Sequence, residues 1–441
     1  MRLKVLNKVY FFTLGCDKNT VDSENMSYIM DESGFEVVYD IEESDMIVIN
    51  TCAFINDAKE QSVDAIMQAV AYKQENPGYK IVVTGCLAQR YSEELLQEIP
   101  EIDHIIGTGR LYEIAELVNG GVRCDTSDIS SPIVESGRIL STPDHYAYVK
   151  IAEGCNKRCS YCIIPKLRGK QKSRKMEDII DEVTMIAEGG VREIILVAQD
   201  TGEYGTDLYK KRMLPTLLRE LNKIPELRWI RLMYVYPETL SDELILAMKE
   251  CKKVLHYIDI PLQHVNSRVL KLMNRHIDKD GVVSIIEKLR SSMPDIAIRS
   301  TFITGFPTET EDEVVELAEF FRKFRLDRVG VFPYSLEEGT PAAEMDGQID
   351  DDEKIRRFEY LMEVLEEISD EKLSERIDTV MEVIIEDKEN EGVYSARSYL
   401  DCPEIDGCVY VYTDEELSPG EIVKVYIDDS MEYDLIGRLY K

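Results

Sequence analysis

The sequence predicts an α/β protein of three domains: an N-terminal parallel α/β domain, a central partial (β/α)6 barrel and a small C-terminal antiparallel β-barrel. Short apolar runs alternate with amphipathic stretches from residue 8 to 119, and the alternation resumes on a larger scale from residue 145. From about residue 374 the chain is rich in β-forming residues and turns. The length of 441 residues is also that of about three domains.

In the first region, strands are predicted at residues 9–14, 46–50 and 81–84, and helices at residues 21–33, 56–74 and 92–98. Gly34 is placed to end the first of these helices. A β-α-β-α order indicates a parallel sheet with helices on both faces. We therefore expect this domain at residues 5–122, followed by a linker at residues 123–140 in a polar stretch with Ser, Pro and Gly.

The second region contains six predicted strands, at residues 147–151, 193–197, 229–234, 254–260, 297–303 and 328–332. Helical stretches separate them, for example residues 175–187, 241–251 and 311–323. Six β–α units predict a barrel or partial barrel, which we place at residues 141–372. The last region, residues 374–441, has five short strands at residues 380–385, 393–396, 409–412, 422–426 and 435–439, which predict a small antiparallel barrel.

Three cysteines follow the first barrel strand in one tight motif, Cys155, Cys159 and Cys162. Three thiolates hold three irons of a four-iron cube and leave the fourth iron open for a ligand that is not protein. A structural zinc site normally closes all four positions, so this triplet indicates chemistry. The alternative is three reduced thiols near the end of a strand.

A second set of three cysteines is dispersed through the first domain. Cys16, Cys52 and Cys86 each follow a predicted parallel strand. Because the carboxyl ends of parallel strands meet at one edge of the sheet, residues far apart in sequence can converge there on a ligand. The alternative is three buried cysteines at strand ends, since Cys is often buried.

The charge and the cysteine content restrict the partners and the compartment. The net charge of −33 repels nucleic acid and attracts basic partners, or it serves only as a soluble acidic surface. Residues 374–441 carry 18 acidic and 6 basic residues, a net charge of −12. No apolar run approaches the ~20 residues of a membrane helix. Ten cysteines without a secretory signal favour a reducing, cytoplasmic compartment, and no membrane partner is expected.

The segment HYAYVKIAEGCNKRCSYCIIP resembles the signature of radical S-adenosylmethionine (SAM) enzymes. The segments LGCDKNTVDSE, NTCAFINDAKEQS and VTGCLAQRY extend the resemblance to the radical SAM methylthiotransferases, and the tail resembles a TRAM domain. The match runs from residue 8 to the end. It implies two [4Fe-4S] clusters and SAM as cofactors, an external electron donor and a sulfur donor.

The resemblance also implies residue roles. Cys155, Cys159 and Cys162 would hold the cluster that cleaves SAM, while Cys16, Cys52 and Cys86 would hold an auxiliary cluster that carries or passes sulfur. The residues expected to contact SAM are Tyr161, Gln199, Asp200, Thr301, Gly305 and Glu309.

Some polar residues have less specific expectations. A basic run contains Arg168 and Arg174, whose guanidinium groups can bind the carboxylate of SAM or of a substrate. Alternatively, the run binds RNA in a relative or is a solvated face. His264 is either at a strand end or packed in the core. Asp22 and Glu24 either support the first cysteine loop or cap a helix.

Members of the family modify one of two main targets: an adenosine of tRNA, or an aspartate of the twelfth protein of the small ribosomal subunit (S-twelve). KNTVDSE and ARSYLDCPEIDGCVYVY resemble the protein-modifying branch, although Cys402 stands where alanine is usual. The acidic tail also favours a basic protein over RNA. We therefore predict no direct binding of tRNA.

The implied mechanism uses SAM twice. One SAM methylates sulfur held at the auxiliary cluster, and another yields a radical that removes hydrogen from the β-carbon of the aspartate, which then takes the methylthio group. The enzyme would modify S-twelve either as the free protein or within the ribosome. The alternatives are a tRNA adenosine methylthiotransferase and a non-catalytic iron–sulfur carrier.

Overall fold

A computed structural model describes residues 7–131 and 133–441 of the chain. The helices are α1 Asp17–Glu32, α2 Asn56–Glu75, α3 Cys86–Arg90, α4 Ser92–Glu98, α5 Ile114–Asn119, α6 Ile164–Leu167, α7 Met176–Glu188, α8 Leu214–Leu221, α9 Asp242–Glu250, α10 Ser267–Leu272, α11 Lys279–Ser292, α12 Glu311–Phe324 and α13 Asp351–Ser374. The strands are β1 Lys8–Thr13, β2 Glu36–Val38, β3 Met46–Thr51, β4 Lys80–Gly85, β5 His104–Ile106, β6 Cys124–Asp125, β7 Tyr146–Lys150, β8 Ala152–Glu153, β9 Lys172–Ser173, β10 Glu193–Val197, β11 Trp229–Leu232, β12 Val254–Asp259, β13 Ala297–Thr304, β14 Arg328–Pro333, β15 Val380–Asn390, β16 Val393–Ser398, β17 Val409–Tyr412, β18 Ile422–Ser430 and β19 Leu435–Leu439.

The first six strands form one parallel sheet in the order β2-β1-β3-β4-β5-β6. The chain moves outward from β1 in one direction to β2 and in the other direction to β3, so the strand order reverses between β1 and β3. Ligands of open α/β sheets bind at the carboxyl edge beside such a reversal. The strands β3 and β4 are buried along nearly their whole length, as parallel strands covered on both faces are.

The first helix begins earlier than predicted. It starts at Asp17, directly after Cys16, whereas the apolar periodicity indicated residue 21. The helix buries many polar side chains against the second domain, which removes the apolar stripe on which the prediction depended. The short strands β2, β5 and β6 and the 24-residue helix α13 were not predicted from the sequence either.

The second domain is an open six-stranded parallel sheet in the order β14-β13-β12-β11-β10-β7. Its strands follow one another in sequence, with β7 and β14 at the two edges, which is the arrangement of a partial (β/α)6 barrel. The outer face packs on the helices through one large apolar core. The predicted α/β fold class is confirmed.

The last five strands close into a barrel in the order β15-β16-β17-β19-β18. Four pairings are antiparallel as predicted, but β17 pairs with β19 in parallel. This barrel shares an apolar core with the inner face of the second domain, where Tyr148, Met233 and Tyr257 lie in the same cluster as Met381 and Leu400. The two domains therefore pack as one body around a common core.

The domain limits 5–122, 123–140, 141–372 and 374–441 stay predictions, and residues 5, 6 and 132 lie outside the described residues. Over the part of the chain that is described, none of the helices has the length and apolar character needed to span a bilayer.

Candidate functional site

The first cysteine trio lies at the carboxyl edge of the N-terminal sheet. Cys16 caps α1 shortly after β1, Cys52 follows β3, and Cys86 begins α3 directly after β4. Gly15 adopts a left-handed φ of 94° that brings the backbone of this loop against the next one. A Cβ atom at Gly15 would lie only 2.7 Å from the Cβ of Cys52, so no larger residue fits there.

The three thiols share one electrostatic environment. Burial raises the pKa of Cys52 to about 12, and the charges of Cys16 and Cys86 add to the increase. Burial also raises the pKa of Cys86, while the guanidinium of Arg168 opposes the increase. Since metals bind the thiolate form, these thiols would release protons when metal binds.

The second trio lies in the loop between β8 and α6, at the carboxyl end of the first barrel strand. Gly154 opens this loop with a left-handed φ of 80°, and a Cβ atom there would lie 2.3 Å from the carbonyl oxygen of Lys170. The Cys155 amide donates to the Gly169 oxygen at 3.1 Å, and the Cys162 amide donates to the Cys159 oxygen at 3.1 Å. The loop is thus held in place by its own backbone.

Buried neighbours surround the thiols of this loop. The Sγ of Cys159 lies 2.9 Å from the Oη of Tyr236. Burial raises the pKa of Cys155 to about 11 and also raises the pKa of Cys162. Tyr236 follows β11 and was not predicted, although its place just after a barrel strand is a signal that could have identified it.

That each trio holds a cluster stays a prediction. All ten cysteines are free thiols. Within residues 7–131 and 133–441, no group of three Cys, His, Asp or Glu side chains is placed to hold one metal ion. In a four-iron cluster each thiolate binds a different iron, so the sulfur atoms need not converge on one point as they do around zinc. Each trio would leave one iron of such a cluster without a protein ligand.

A buried group of charged side chains lies between the two trios. Lys150, at the end of β7, pairs with Asp22 of α1 and lies 2.8 Å from Glu153. Arg168 donates to Asp22 at 2.6 Å and to Glu153 at 3.1 Å. Glu153 in turn accepts from Gln199 at 2.6 Å. These contacts connect the first sheet with the barrel through complementary charges.

The predicted substrate contacts Arg168 and Arg174 are engaged inside the protein. Arg174 is buried, pairs with Glu135 and Glu182, and donates to the carbonyl oxygen of Lys150 at 3.0 Å. Arg168 is only 3% exposed and has the partners given above. The sequence placed both in a basic run and could not show that acidic residues elsewhere in the chain neutralise them. Their contacts argue against a direct role with substrate.

Gln199 and Asp200 lie beside the second trio, at the carboxyl end of β10. Burial raises the pKa of Asp200 to about 6, although Lys157 of the cysteine loop opposes the increase. The Oδ2 of Asp200 and the Oε1 of Gln199 are buried and lack hydrogen-bond partners. Such unpaired buried atoms are expected where a polar ligand completes the site. Their assignment to SAM stays a prediction.

The residues predicted on β13 have different surroundings. Thr301 lies on the strand, and its Oγ1 accepts from Gln263 at 3.3 Å. Gly305 follows the strand, and its amide donates to the Oε2 of Glu309 at 2.7 Å. Arg357 also donates to this carboxylate, and the Nε2 of His264 lies 3.1 Å from its other oxygen.

Glu309 is therefore a buried carboxylate that holds the backbone after β13 in place. Its hydrogen-bond donors come from α13, from the strand end and from the loop after β12. Because these donors occupy both carboxylate oxygens, few further hydrogen bonds to SAM can form there. His264 is fully buried in the same group, as expected of a packed histidine. Neither fact could be read from the sequence, because Arg357 is 48 residues away.

Tyr161 lies between two cysteines of the second trio and packs against apolar residues. Its neighbours are Val269, Met273, Phe306, Tyr334 and Ala342. Burial raises its pKa well above the ordinary value, and the Cys159 thiol lies close by. The apolar contacts agree with the barrel packing expected as one alternative, and the adenine contact stays a prediction.

Asp22 and Glu24 do not cap the helix, because both lie within α1 and form long-range ion pairs. Glu24 binds Arg138 of the linker, and its Oε1 accepts from the amide of Ser141 at 2.8 Å. Asp22 reaches the barrel through Lys150 and Arg168. Both residues therefore hold the helix behind Cys16 against the rest of the molecule.

Three family models match separate stretches of the chain: the Uncharacterized protein family UPF0004 at residues 8–107, the Radical SAM superfamily at residues 149–321 and the TRAM domain at residues 377–439. The chain is 46% identical over 439 residues to the ribosomal protein uS12 methylthiotransferase RimO of Caldicellulosiruptor saccharolyticus, with 98% of this chain and 99% of that protein covered. It is 50% identical over 437 residues to the protein of the same name from Caldanaerobacter subterraneus subsp. tengcongensis, with 98% and 100% covered.

Among solved structures, the chain resembles the radical S-adenosylmethionine methyltransferase TsrM from Kitasatospora setae. The TM-score is 0.56 at 13% identity, with 75% of this chain and 73% of that chain covered. At this identity the likeness shows the fold alone.

Proposed function

The chain belongs to the RimO family of ribosomal protein uS12 methylthiotransferases, and we propose that it adds a methylthio group to the β-carbon of an aspartate of uS12. It is a radical SAM methylthiotransferase, a sulfur-transferring enzyme. The observation that carries the proposal is the pair of free-thiol trios, each with two buried cysteines and one half-buried cysteine at the carboxyl edge of its own parallel sheet.

Cys155, Cys159 and Cys162 would hold the cluster that works with SAM, and Cys16, Cys52 and Cys86 would hold an auxiliary cluster. When bound, these groups supply one-electron chemistry on an unactivated carbon, together with sulfur and methyl groups, that no side chain can supply. Two clusters are a proposal that the first trio supports, because Cys52 and Cys86 are buried and the charges of the three thiols and of Arg168 act on one another.

The protein's own residues orient the reactants and exclude water. Gln199 and Asp200 would contact SAM through the buried atoms that lack partners. Tyr161 and Tyr236 close the second trio from the barrel side. The paired, buried charges of Glu153, Lys150 and Asp22 fix the positions of the two trios relative to each other.

We propose that the protein substrate is recognised by charge. The net charge of −33, with −12 in residues 374–441, attracts a basic ribosomal protein and repels a phosphate backbone. No direct binding of tRNA is therefore expected. An external electron donor, a sulfur donor and a cytoplasmic location complete the proposal, and the ten free cysteines support such a reducing compartment.

Mass spectrometry tests this proposal. The anaerobically reconstituted protein is incubated with SAM, a reductant and either uS12, ribosomes or tRNA, and peptides and nucleosides are analysed. We expect the mass of one methylthio group in place of one hydrogen on an aspartate of uS12, and no modified adenosine. The Cys159→Ala variant is the matched control and should give no product.

Each alternative function predicts a different outcome of this experiment. A methylthio group on tRNA with none on uS12 would establish the tRNA-modifying function. If both clusters are loaded and SAM is not cleaved, the protein is an iron–sulfur carrier.

A further inference from the structure

Arg168 lies at the end of α6, between the first cysteine trio and the barrel. Its guanidinium is buried and donates to the Oδ2 of Asp22 at 2.6 Å and to the Oδ1 of Asn19 at 2.6 Å. A third bond, to Glu153 at 3.1 Å, fixes the same side chain from the barrel side. Three partners from two segments, α1 and β8, give this guanidinium one defined position.

Asn19 connects the guanidinium to the cysteine loops. Its Nδ2 donates to the carbonyl oxygen of Leu14 at 2.7 Å and to that of Thr51 at 3.2 Å. Leu14 lies two residues before Cys16, and Thr51 directly precedes Cys52. The position of Arg168 is therefore coupled to the backbone that carries two of the three thiols.

The third thiol is close to the guanidinium itself. Helix α6 packs against α3, which begins with Cys86, and Leu167 lies in the same apolar cluster as Cys86. The positive charge of Arg168 opposes the effect of burial on the pKa of Cys86 and of Cys52, so the guanidinium lies near these thiols. Arg168 is thus a buried cation that faces the whole trio.

The charge of Arg168 is permanent, because guanidinium does not lose its proton in proteins. Four buried charges form one group beside the first trio: the cations of Arg168 and Lys150 and the anions of Asp22 and Glu153. They cancel in number, so the group has no excess charge before a cluster binds. In such a buried place, one added electron acts strongly on a neighbouring cation.

We propose that Arg168 is the electrostatic partner of the auxiliary cluster and sets its reduction potential by stabilising the reduced, more negative form. This inference rests on the proposed function, since it requires a cluster at Cys16, Cys52 and Cys86. Reduction adds one electron to the cluster and breaks no bond. Removal of the cation therefore makes reduction harder, and removal of a neighbouring anion makes it easier.

The test uses the full chain with Cys155, Cys159 and Cys162 replaced by alanine, so that only the auxiliary cluster is loaded. Its midpoint potential is measured in a redox titration followed by electron paramagnetic resonance. With Arg168→Gln we expect at least a tenfold lower ratio of reduced to oxidised cluster at a given applied potential, which corresponds to 59 mV for one electron. Arg168→Lys keeps the charge and should recover part of the shift.

Two further variants separate charge from structure. Arg174→Gln removes another buried arginine of the same segment, which pairs with Glu135 and Glu182, and should leave the potential unchanged. Asp22→Asn keeps Arg168 and removes an anion, so the potential should become more positive. Loss of a merely structural contact would not give shifts of opposite sign.

The proposal is overturned if Arg168→Gln leaves the potential unchanged, or shifts it no more than Arg174→Gln. If Arg168→Gln does not fold or does not bind iron, the sign of the Asp22→Asn shift decides: a positive shift supports the proposal and no shift overturns it. Iron and sulfide are measured first. If the protein with an intact first trio binds neither, the auxiliary cluster itself is refuted, and the proposal for Arg168 fails with it.

Discussion

Asp200 is a buried carboxyl group whose pKa is raised to about 6 from 3.8, mainly by burial. Between about pH 4 and about pH 6 the folded protein keeps this proton while the unfolded chain has lost it. The stability contributed by the bound proton is therefore present at acidic pH and is lost as the pH rises through 6. At neutral pH the residue is a buried anion whose cation, the Nζ of Lys157, lies 3.7 Å away.

We expect Asp200→Asn to remove this pH dependence. The free energy of unfolding of the variant minus that of the native protein should increase by about 1 kcal/mol from about pH 5 to about pH 7.5. Chemical denaturation at the two pH values measures the change. Asp280→Asn, at an exposed position of α11, is the control. If the difference in free energy of unfolding between variant and native protein does not change with pH, the pKa of Asp200 is not raised.

We expect the six cysteines of the two trios to have separable roles. We expect Cys159→Ala to lower the bound iron by about half and to abolish SAM cleavage, because it removes a ligand of the cluster that works with SAM. Cys52→Ala should also lower the iron by about half, yet it should retain SAM cleavage. Iron analysis and chromatography of the deoxyadenosine product measure both.

Cys251→Ala is the matched control, because this buried cysteine lies at the end of α9, outside both trios. It should change neither iron nor cleavage. Cleavage that survives in Cys159→Ala, or that is lost in Cys52→Ala, would refute the assignment of the two trios.

At the scale of elements, the linker is held by α1. Arg138 of the linker has only 4% of its side chain exposed and pairs with Glu24 of α1 and Glu182 of α7. The amide of Ile139 also donates to the carbonyl oxygen of Glu24 at 3.2 Å. Residues 138 and 139 are therefore fixed between the first domain and the barrel.

We expect Glu24→Ala to release residues 138 and 139. Loss of one partner of a buried ion pair costs about 3 kcal/mol, so trypsin should cleave after Arg138 at least about tenfold faster. Electrophoresis with mass analysis of the fragments follows the cleavage. Glu32→Ala changes an exposed residue of the same helix and should not alter the rate. Equal rates for the two variants would show that Glu24 does not hold the linker.

At the scale of the whole molecule, a buried arginine joins the C-terminal barrel to the second domain. Arg231 of β11 has no exposed surface and donates to Glu193 at 2.7 Å and to the carbonyl oxygen of Tyr399 at 2.9 Å. Glu193 also pairs with Arg397 of β16 at 2.8 Å. The acidic barrel is thereby fixed to the domain that carries the chemistry.

We expect Arg231→Met to uncouple these two domains. It leaves Glu193 and the carbonyl oxygens of Tyr399 and Ser398 with fewer partners, at a cost of about 3–5 kcal/mol. Scanning calorimetry should show an early transition of the C-terminal barrel, separate from the main one. Arg219→Met, at a partly exposed position of α8, should retain the native profile. A single, unshifted transition for Arg231→Met would contradict the coupling.

The sequence could predict the strands that carry cysteines because their signals are local. Runs such as residues 46–50 and 81–84 are apolar up to their last residue, and a cysteine follows each within two residues. It could not predict α1 correctly, because the helix buries polar residues that bind partners in the barrel. The parallel pairing of β17 with β19 was missed for a similar reason, since strand order around a barrel depends on which edges remain free.

The amino-acid order by itself determined the fold class and the two cysteine trios that would serve as cluster ligands. Periodicity, glycine positions and ligand spacing act over a few residues, so they can be read along the chain. Only the tertiary structure decided what the charged residues do. Arg168 meets Asn19 across 149 residues and Glu309 meets Arg357 across 48, and a buried charge takes its role from such distant partners.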